Sequence, residues 1–286
     1  MELLQLKYFL DSAETENFSA TAKKFGVPAS DISQSIKRLE KELQIPLFER
    51  RANRILLNEK GMAFYKKTKE AMSLLDSAVS EVRDDGTSGK IKIAINCNRR
   101  IVMQAIEKFC SLYPEVDIIT RYSVYSGLED FHLIVSSEPP PSQSFKGEKI
   151  ITEEICLAVN TNTPLASAEQ IDRSLLENES FITMDENSNL YKTTQQICAT
   201  LGFRPRLAIL ADDPLYVRKC VELGLGVAFT PMISWKGQVS DKIALKRVGN
   251  SSRDIYIFKN EKSYLSKSIH ILLQMLRDEF RAEFEN

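Results

Sequence analysis

Between residues 30 and 43 the apolar side chains Ile32, Ile36, Leu39 and Leu43 recur at steps of four, three and four, which fixes the buried side of an amphipathic helix. Facing out near its start are Asp31, Ser33, Gln34, Ser35, Lys37 and Arg38: short polar donors and acceptors, then two cations. Hydroxyl and amide groups so placed can reach base edges in a DNA major groove while the cations hold phosphates. Ser19 and Thr21, just upstream, and Ser30 at the helix start join this DNA-facing set. Arg50, Arg51 and Arg54 lie on or beside the tip of a short hairpin pattern, where a guanidinium can track the backbone or enter a minor groove. A second constellation, Asn96-Cys97-Asn98-Arg99-Arg100, follows a strand pattern and opens a helix, so backbone N–H groups and two guanidiniums would meet an entering anion. Asn187 and Ser188 precede another helix, and Phe229 and Thr230 end a strand. Together these predict a site for a small carboxylate-like or phosphate-like molecule.

The first constellation needs a particular scaffold. Leu3, Leu6, Phe9, Leu10 and Ala13 fall on one helical face. Ser19 is expected to cap a second helix running through Ala20, Ala22 and Phe25, ended by Gly26 at positive φ. Val27-Pro28-Ala29 make the corner, and Ser30 is expected to cap the outward-facing helix. Two helices at a sharp corner, the second exposed, have helix-turn-helix geometry. Residues 47–50 and 54–57 read as a basic wing. Asn58 then caps a helix from Glu59 to about Arg83, about 37 Å long at ~1.5 Å per residue. Along it Tyr65, Thr68, Met72, Leu75, Val79 and Val82 keep three- and four-residue steps, a seam that calls for a partner helix. Of these, Tyr65, Met72, Leu75, Val79 and Val82 are the expected self-association residues.

Composition narrows the class. The chain has 286 residues, 43% hydrophobic and 27% charged, an ordinary globular balance long enough for two or three compact units. Its formal net charge of −1 hides a basic island: residues 19–69 hold twelve Lys or Arg against five Asp or Glu. Such an island is the electrostatic footprint that phosphate neutralisation requires. No run of about 18 apolar residues occurs, and acids interrupt the apolar N-terminus, so a cytoplasmic chain without a membrane partner is expected. The five cysteines show no C-x-x-C pair, and no metal site is expected. Phosphate-loop, dinucleotide, nucleophile-elbow and zincin motifs are missing, so neither a cofactor nor an enzyme is indicated. His132, in a strand pattern, and His270, in the last helix, read as structural, and Gly224-Leu225-Gly226 as a helix-to-strand turn.

The second half changes texture after a polar break at residues 86–89, read as a hinge. Strand patterns at 90–96, 116–122 and 131–137 alternate with a helix at 99–112, a βαβ rhythm that implies a largely parallel sheet. Pro139-Pro140-Pro141 closes that run. A strand at 149–160 leads to a second series: SFITM, a helix through Ile197, RLAIL, a helix through Val221, then GVAFTP. IYIFKN and a helix from about residue 264 to 284 end the chain. Two such sub-sheets leave a cleft beyond the carboxyl ends of their strands.

The stretch LKYFLDSAETENFSATAKKFGVPASDISQSIKRLEKELQIPLFERRANRILLNEKG resembles the DNA-binding end of LysR-type bacterial transcriptional regulators. Phe9, Phe18-Ser19, Ala22, Val27, Ser33, Ile36, Leu39-Glu40, Leu43, Pro46-Leu47-Phe48, Arg50, Leu57 and Gly61 carry the likeness in family order without gaps. Where the family usually opens its recognition helix with Ser-Gln-Pro, this chain has Pro28-Ala29-Ser30, so Ala29 removes a frequent base reader and Ser30, Ser33 and Gln34 take its place. The second half is similar to the same family's effector domain, a two-subdomain fold like periplasmic binding proteins. Residues 89–95, Asn162 to Ala166 and Val221 to Pro231 carry that likeness, while residues 128–134 depart from it.

The resemblance implies an α/β protein with an N-terminal winged helix-turn-helix (1–58), a linker helix and hinge (59–89) and a C-terminal effector domain (90–286). Within the last, subdomain I spans about 90–160 and 261–286, and subdomain II about 161–260. The implied partners are a double-stranded DNA operator, a small-molecule effector, further copies of the chain in a dimer or tetramer, and RNA polymerase. A cytoplasmic solute-binding or sensor protein with non-specific DNA affinity is the alternative, and sequence-specific, ligand-sensitive DNA binding separates the two.

Overall fold

The computed structural model describes residues 1–51, 54–83, 88–122, 127–140 and 142–285, without the side chains of residues 50, 51, 54, 80, 83, 284 and 285. Residues 52–53, expected at the tip of the wing, residues 86–87, expected in a hinge, and Pro141 lie outside the described residues. The chain divides into two compact units, Met1–Val79 and Ser80–Asn286.

The first unit holds α1 (Leu3–Thr15), α2 (Phe18–Phe25), α3 (Ala29–Leu43), the hairpin β1 (Phe48–Arg51) and β2 (Arg54–Leu57), and the start of α4 (Glu59–Arg83). One core of Phe9, Ala22, Ile32, Ile36, Leu39 and Leu47 joins them, with Phe18, Phe48 and Phe64 closing around it. Burying each such large side chain stabilises the unit by roughly 1.5–3 kcal/mol. Gly26 ends α2 at φ 67°, and its N–H donates to the Ala22 carbonyl. Asn58 caps α4 as its side chain suggests: Oδ1 accepts from the Gly61 N–H at 2.8 Å, and Nδ2 donates to the Pro46 carbonyl at 2.8 Å.

Three local expectations are corrected. Asn17, not Ser19, caps α2, accepting from the N–H groups of Ser19 and Ala20; Asn caps as well as Ser, and here it stands in the extended conformation before the helix. Ser30 caps nothing, because α3 already begins at Ala29 behind Pro28 and receives no side-chain cap. The buried face of α1 is turned toward Tyr8, Phe9, Asp11 and Ser12, which leaves Leu3 exposed.

The second unit runs β3 (Gly89–Ile95), α5 (Arg99–Leu112), β4 (Val116–Tyr122), β5 (Leu133–Ser136) and β6 (Phe145–Asn160), then the single turns α6 (Pro164–Ser167) and α7 (Arg173–Leu176). It continues with β7 (Ser180–Met184), α8 (Asn189–Thr200), β8 (Arg206–Ala211), α9 (Pro214–Glu222), β9 (Ala228–Pro231), the single turn α10 (Met232–Trp235), β10 (Ile243–Asn260) and α11 (Lys267–Glu285). The larger sheet has the order β4-β3-β5-β10-β6-β9, and β7 pairs with β8 in a second. The β3 ladders to β4 and β5 are parallel, as the βαβ rhythm predicts, but the expectation of a largely parallel sheet is corrected: the β5–β10, β10–β6 and β6–β9 ladders are antiparallel, because β6 and β10 run in opposite directions through both halves of the unit.

The antiparallel pair β6–β10 runs through both halves of this unit. On one side, helices α5 and α11 sandwich Ile101, Ala105 and Phe109 with Leu272, Leu276 and Phe280 over β3. On the other, Phe181, Val227 and Phe229 centre a separate core. Gly226 enters β9 at φ 157°, where a Cβ would stand 2.2 Å from the Ser180 carbonyl oxygen, so glycine is required by close approach and the Gly-Leu-Gly segment is the structural turn expected. Residues 243–254 extend β10 well before the IYIFKN segment; their charged residues and Gly249 hide strand character that pairing with β6 supplies.

Candidate functional site

Burial of Ile32, Ile36 and Leu39 orients α3 so that Ser30, Asp31, Gln34, Lys37 and Arg38 are exposed and Ser33 half-buried. Asp31 accepts from the Ser30 hydroxyl at 3.1 Å. The outward face therefore presents hydroxyls, an amide and two cations on one rigid helix. Behind it, one Glu40 oxygen accepts from the N–H groups of Leu47 (2.7 Å) and Phe48 (3.2 Å), which fixes where the chain leaves α3 and enters β1. Arg51 pairs with Arg54 at the end of the β1–β2 ladder, so both arginine backbones stand at the wing tip. The side chains of Arg50, Arg51 and Arg54 lie outside the described residues.

Ser19 is exposed on α2, but Thr21 is fully buried, accepting a hydrogen bond from the Ser12 hydroxyl at 3.2 Å and meeting Thr15 Oγ1 at 3.2 Å. It is therefore a packing residue of the α1–α2 crossing and cannot touch DNA through its side chain. The seam on α4 also splits. Tyr65 packs on the core margin and donates to Glu14 Oε1 at 2.7 Å, and Met72 is buried, so these two are already covered. Leu75, Val79 and Val82 remain exposed together with Leu74.

In the second unit a cavity of about 180 Å³ opens between the two cores. Its wall includes Asn96, Cys97, Asn98, Arg99, Arg100 and Ser188, as the sequence suggests. Asn187 is exposed and off the wall, and Phe229 and Thr230 are fully buried, Phe229 stacked on Phe181 at 5.7 Å. The strand end points its side chains into packing, and the following Pro231 reaches the cavity instead. Asn189, which follows Ser188 at the start of α8, is on the wall as well, and sequence reasoning missed Asp213, Arg218, Ser234, Trp235 and Arg253. Asp213-Pro214 carried a readable signal, an N-cap followed by proline after a strand; Arg253 lay in the unread half of β10.

The expectation that Arg99 and Arg100 face an open anion site is corrected by their partners. Arg99 pairs with Asp213 at 3.1 Å and stacks on Tyr122. Arg100 pairs with Glu283 at 2.9 Å and donates to the Ile233 carbonyl. At the cavity floor, fully buried Glu153 of β6 accepts from Arg253 of β10 through Nε (3.1 Å) and Nη2 (3.0 Å), and from the Ser234 N–H at 2.6 Å. A buried carboxylate requires that set of donors, and the network joins both crossing strands to α10. Burial pushes the Cys97 thiol up to about 12, so it stays protonated and unreactive at neutral pH. Among the described residues no group of His, Cys, Asp and Glu could hold a metal ion.

Comparison with known proteins covers both units. Residues 3–62 match the family described as bacterial regulatory helix-turn-helix protein, lysR family, and residues 84–281 match the LysR substrate binding domain. The transcriptional dual regulator GltC of Bacillus subtilis is 31% identical over 242 residues, 81% of each chain. The regulator CysL of the same organism is 22% identical over 97% of each. Among solved structures, full-length CbnR in complex with its target DNA superposes with a TM-score of 0.67 at 19% identity, covering 98% of this chain and 100% of that one. The virulence activator AphB of Vibrio cholerae gives 0.57 at 22% identity, covering 96% and 98%.

Proposed function

This chain belongs to the LysR family of bacterial transcriptional regulators, a DNA-binding protein with an effector-binding domain, and we propose how its own residues divide that work. Ser30, Ser33 and Gln34 read base edges, while Ser19, Lys37, Arg38 and the wing arginines Arg50, Arg51 and Arg54 position the phosphate backbone. The exposed Leu75, Val79 and Val82 of α4 pair with a second copy, so that two recognition helices meet two half-sites of a partly palindromic operator. The cavity lined by Asn96 to Arg100 takes the effector. A ligand with different affinity for two arrangements of the assembled chains then shifts DNA bending and contact with RNA polymerase. The work is done in the cytoplasm and involves no catalysis; among the described residues no helix is long and apolar enough to cross a membrane.

The observation that carries this reading is the α3 face, polar and cationic outside and held by Ile32, Ile36 and Leu39 inside. Binding of the purified protein to the DNA upstream of its own gene, against scrambled DNA of equal length across a salt series, tests it. A preference of about a hundredfold or more with a footprint over two half-sites is the expected result. Equal affinity for both DNAs, repeated with fragments recovered by genome-wide capture, would remove the sequence-specific reading.

A further inference from the structure

Four arginines and one aspartate line the cavity, and their partners leave the charge unevenly distributed. Arg99 is matched by Asp213, Arg100 by Glu283 and Arg253 by Glu153. Arg218, on α9, has no such match: among the described residues it makes no hydrogen bond and no ion pair. Its guanidinium lies instead over the ring of Trp235, 5.3 Å from the centroid, and that ring is itself buried. Stacking occupies the face of the guanidinium and leaves the N–H edge unspent, the edge that matches a carboxylate through two parallel hydrogen bonds.

The surrounding backbone favours the same charge. The first residues of α5, α8 and α9 all reach this cavity, and each helix is long enough to carry a positive N-terminal end. Ser188 and Asp213 cap one N–H each on α8 and α9, whereas the first turn of α5 receives no side-chain cap. Partial burial pulls the Arg218 pKa down, with the charges of Asp213 and Glu222 opposing the shift, as for a half-buried cation without a directly bonded counter-ion.

We infer that the effector is a small organic anion whose carboxylate pairs edge-on with Arg218, which Trp235 holds in place, and that Arg99 and Arg100 serve to hold the walls. The inference rests on the reading of this cavity as the effector site. One negative group is called for, because among the described residues one cation of the lining is left unmatched.

Trp235 is the only tryptophan in the chain, so its fluorescence reports on this site alone. The full-length protein is titrated at constant ionic strength with benzoate, succinate and inorganic phosphate, and with the neutral isosteres benzamide and succinamide. At least one carboxylate is expected to change the emission saturably while its amide does not. Arg218→Gln should weaken that carboxylate about tenfold or more, Arg218→Lys less, and Arg121→Gln, an equal charge change at an exposed position of β4, by under about twofold. Equal losses in Arg218→Gln and Arg121→Gln, a better response to amides than to acids, phosphate alone binding, or no anion binding below about 10 mM would each overturn the inference. Operator affinity is measured with the bound carboxylate present: binding at Arg218 without any effect on DNA would leave the anion site standing and overturn the effector reading instead.

Discussion

At the residue scale, a side chain's type proposes a role and its burial decides it. Thr21 and Ser33 are both hydroxyl residues close to the helical corner. Thr21 spends its hydroxyl inside the α1–α2 crossing, whereas Ser33 remains half-exposed on α3. Thr21→Val should therefore destabilise the fold by about 1–2 kcal/mol in urea unfolding and leave the ratio of operator to random-DNA affinity unchanged. Ser33→Ala and Gln34→Ala should do the reverse, each costing about 1–3 kcal/mol on operator DNA with non-specific binding kept. Competition assays against both DNAs check this, and equal losses on the two would sink the assignment of base readers.

At the element scale, the DNA-reading helix depends on contacts behind it. The first turn of α4 lies so close to the chain entering the wing that a Cβ on Gly61 would stand 2.0 Å from the Leu47 carbonyl oxygen. Glu40 holds the same point from the other side through the Leu47 and Phe48 N–H groups. Gly61→Ala must push α4 away from the wing, and an expected loss of about 2–4 kcal/mol should accompany weaker binding to every DNA sequence, since the wing moves with it. Further along α4, Val79→Asp places a charge on an exposed apolar stripe. It should leave the thermal midpoint within a few degrees of wild type and dissociate the assembly; sedimentation showing an unchanged mass would remove α4 as the pairing element.

At the scale of the whole effector unit, the two crossing strands are pinned by the same device at opposite ends. Asn160, closing β6, donates to the Glu222 and Val221 carbonyls and accepts from the Asn162 N–H. Asn260, closing β10, donates to the Glu129 and Phe131 carbonyls and accepts from the Lys262 N–H. Each asparagine fastens one strand into one half, and the β6–β10 pair between them, with the Glu153–Arg253 contact along it, joins the two halves. A pH dependence follows from His132 in the same unit. Its Nδ1 accepts from the Lys92 N–H at 3.0 Å, and burial, with the Lys92 charge, pulls its pKa down to about 4. The unfolded chain, with His near 6.5, binds the proton first, so the contribution of His132 to stability is complete above pH 6.5 and falls as pH drops toward 4. The unfolding midpoint of this unit should decline over that window, and His132→Asn should flatten the decline; an unchanged slope would show that other groups set it.

The sequence by itself determined what local rules govern. Apolar spacing fixed the buried face of α3, Asn58 and Gly26 marked helix ends, and the parallel β3–β4 and β3–β5 pairings followed from the alternation of strand and helix. For the helix face and the helix ends the responsible residues lie within a few positions of one another. Asn96 to Arg100 and Ser188, picked out because strand ends and helix starts are visible in the chain order, do line one cavity. Only tertiary structure decided which cations are spent. Asp213, Glu283 and Glu153 stand 114, 183 and 100 residues from their arginines, and no local pattern reports such partners. The same holds for Thr21 and for Phe229 and Thr230, whose fates depend on what packs against them, and for the first half of β10, where pairing with β6 outweighs weak local strand propensity.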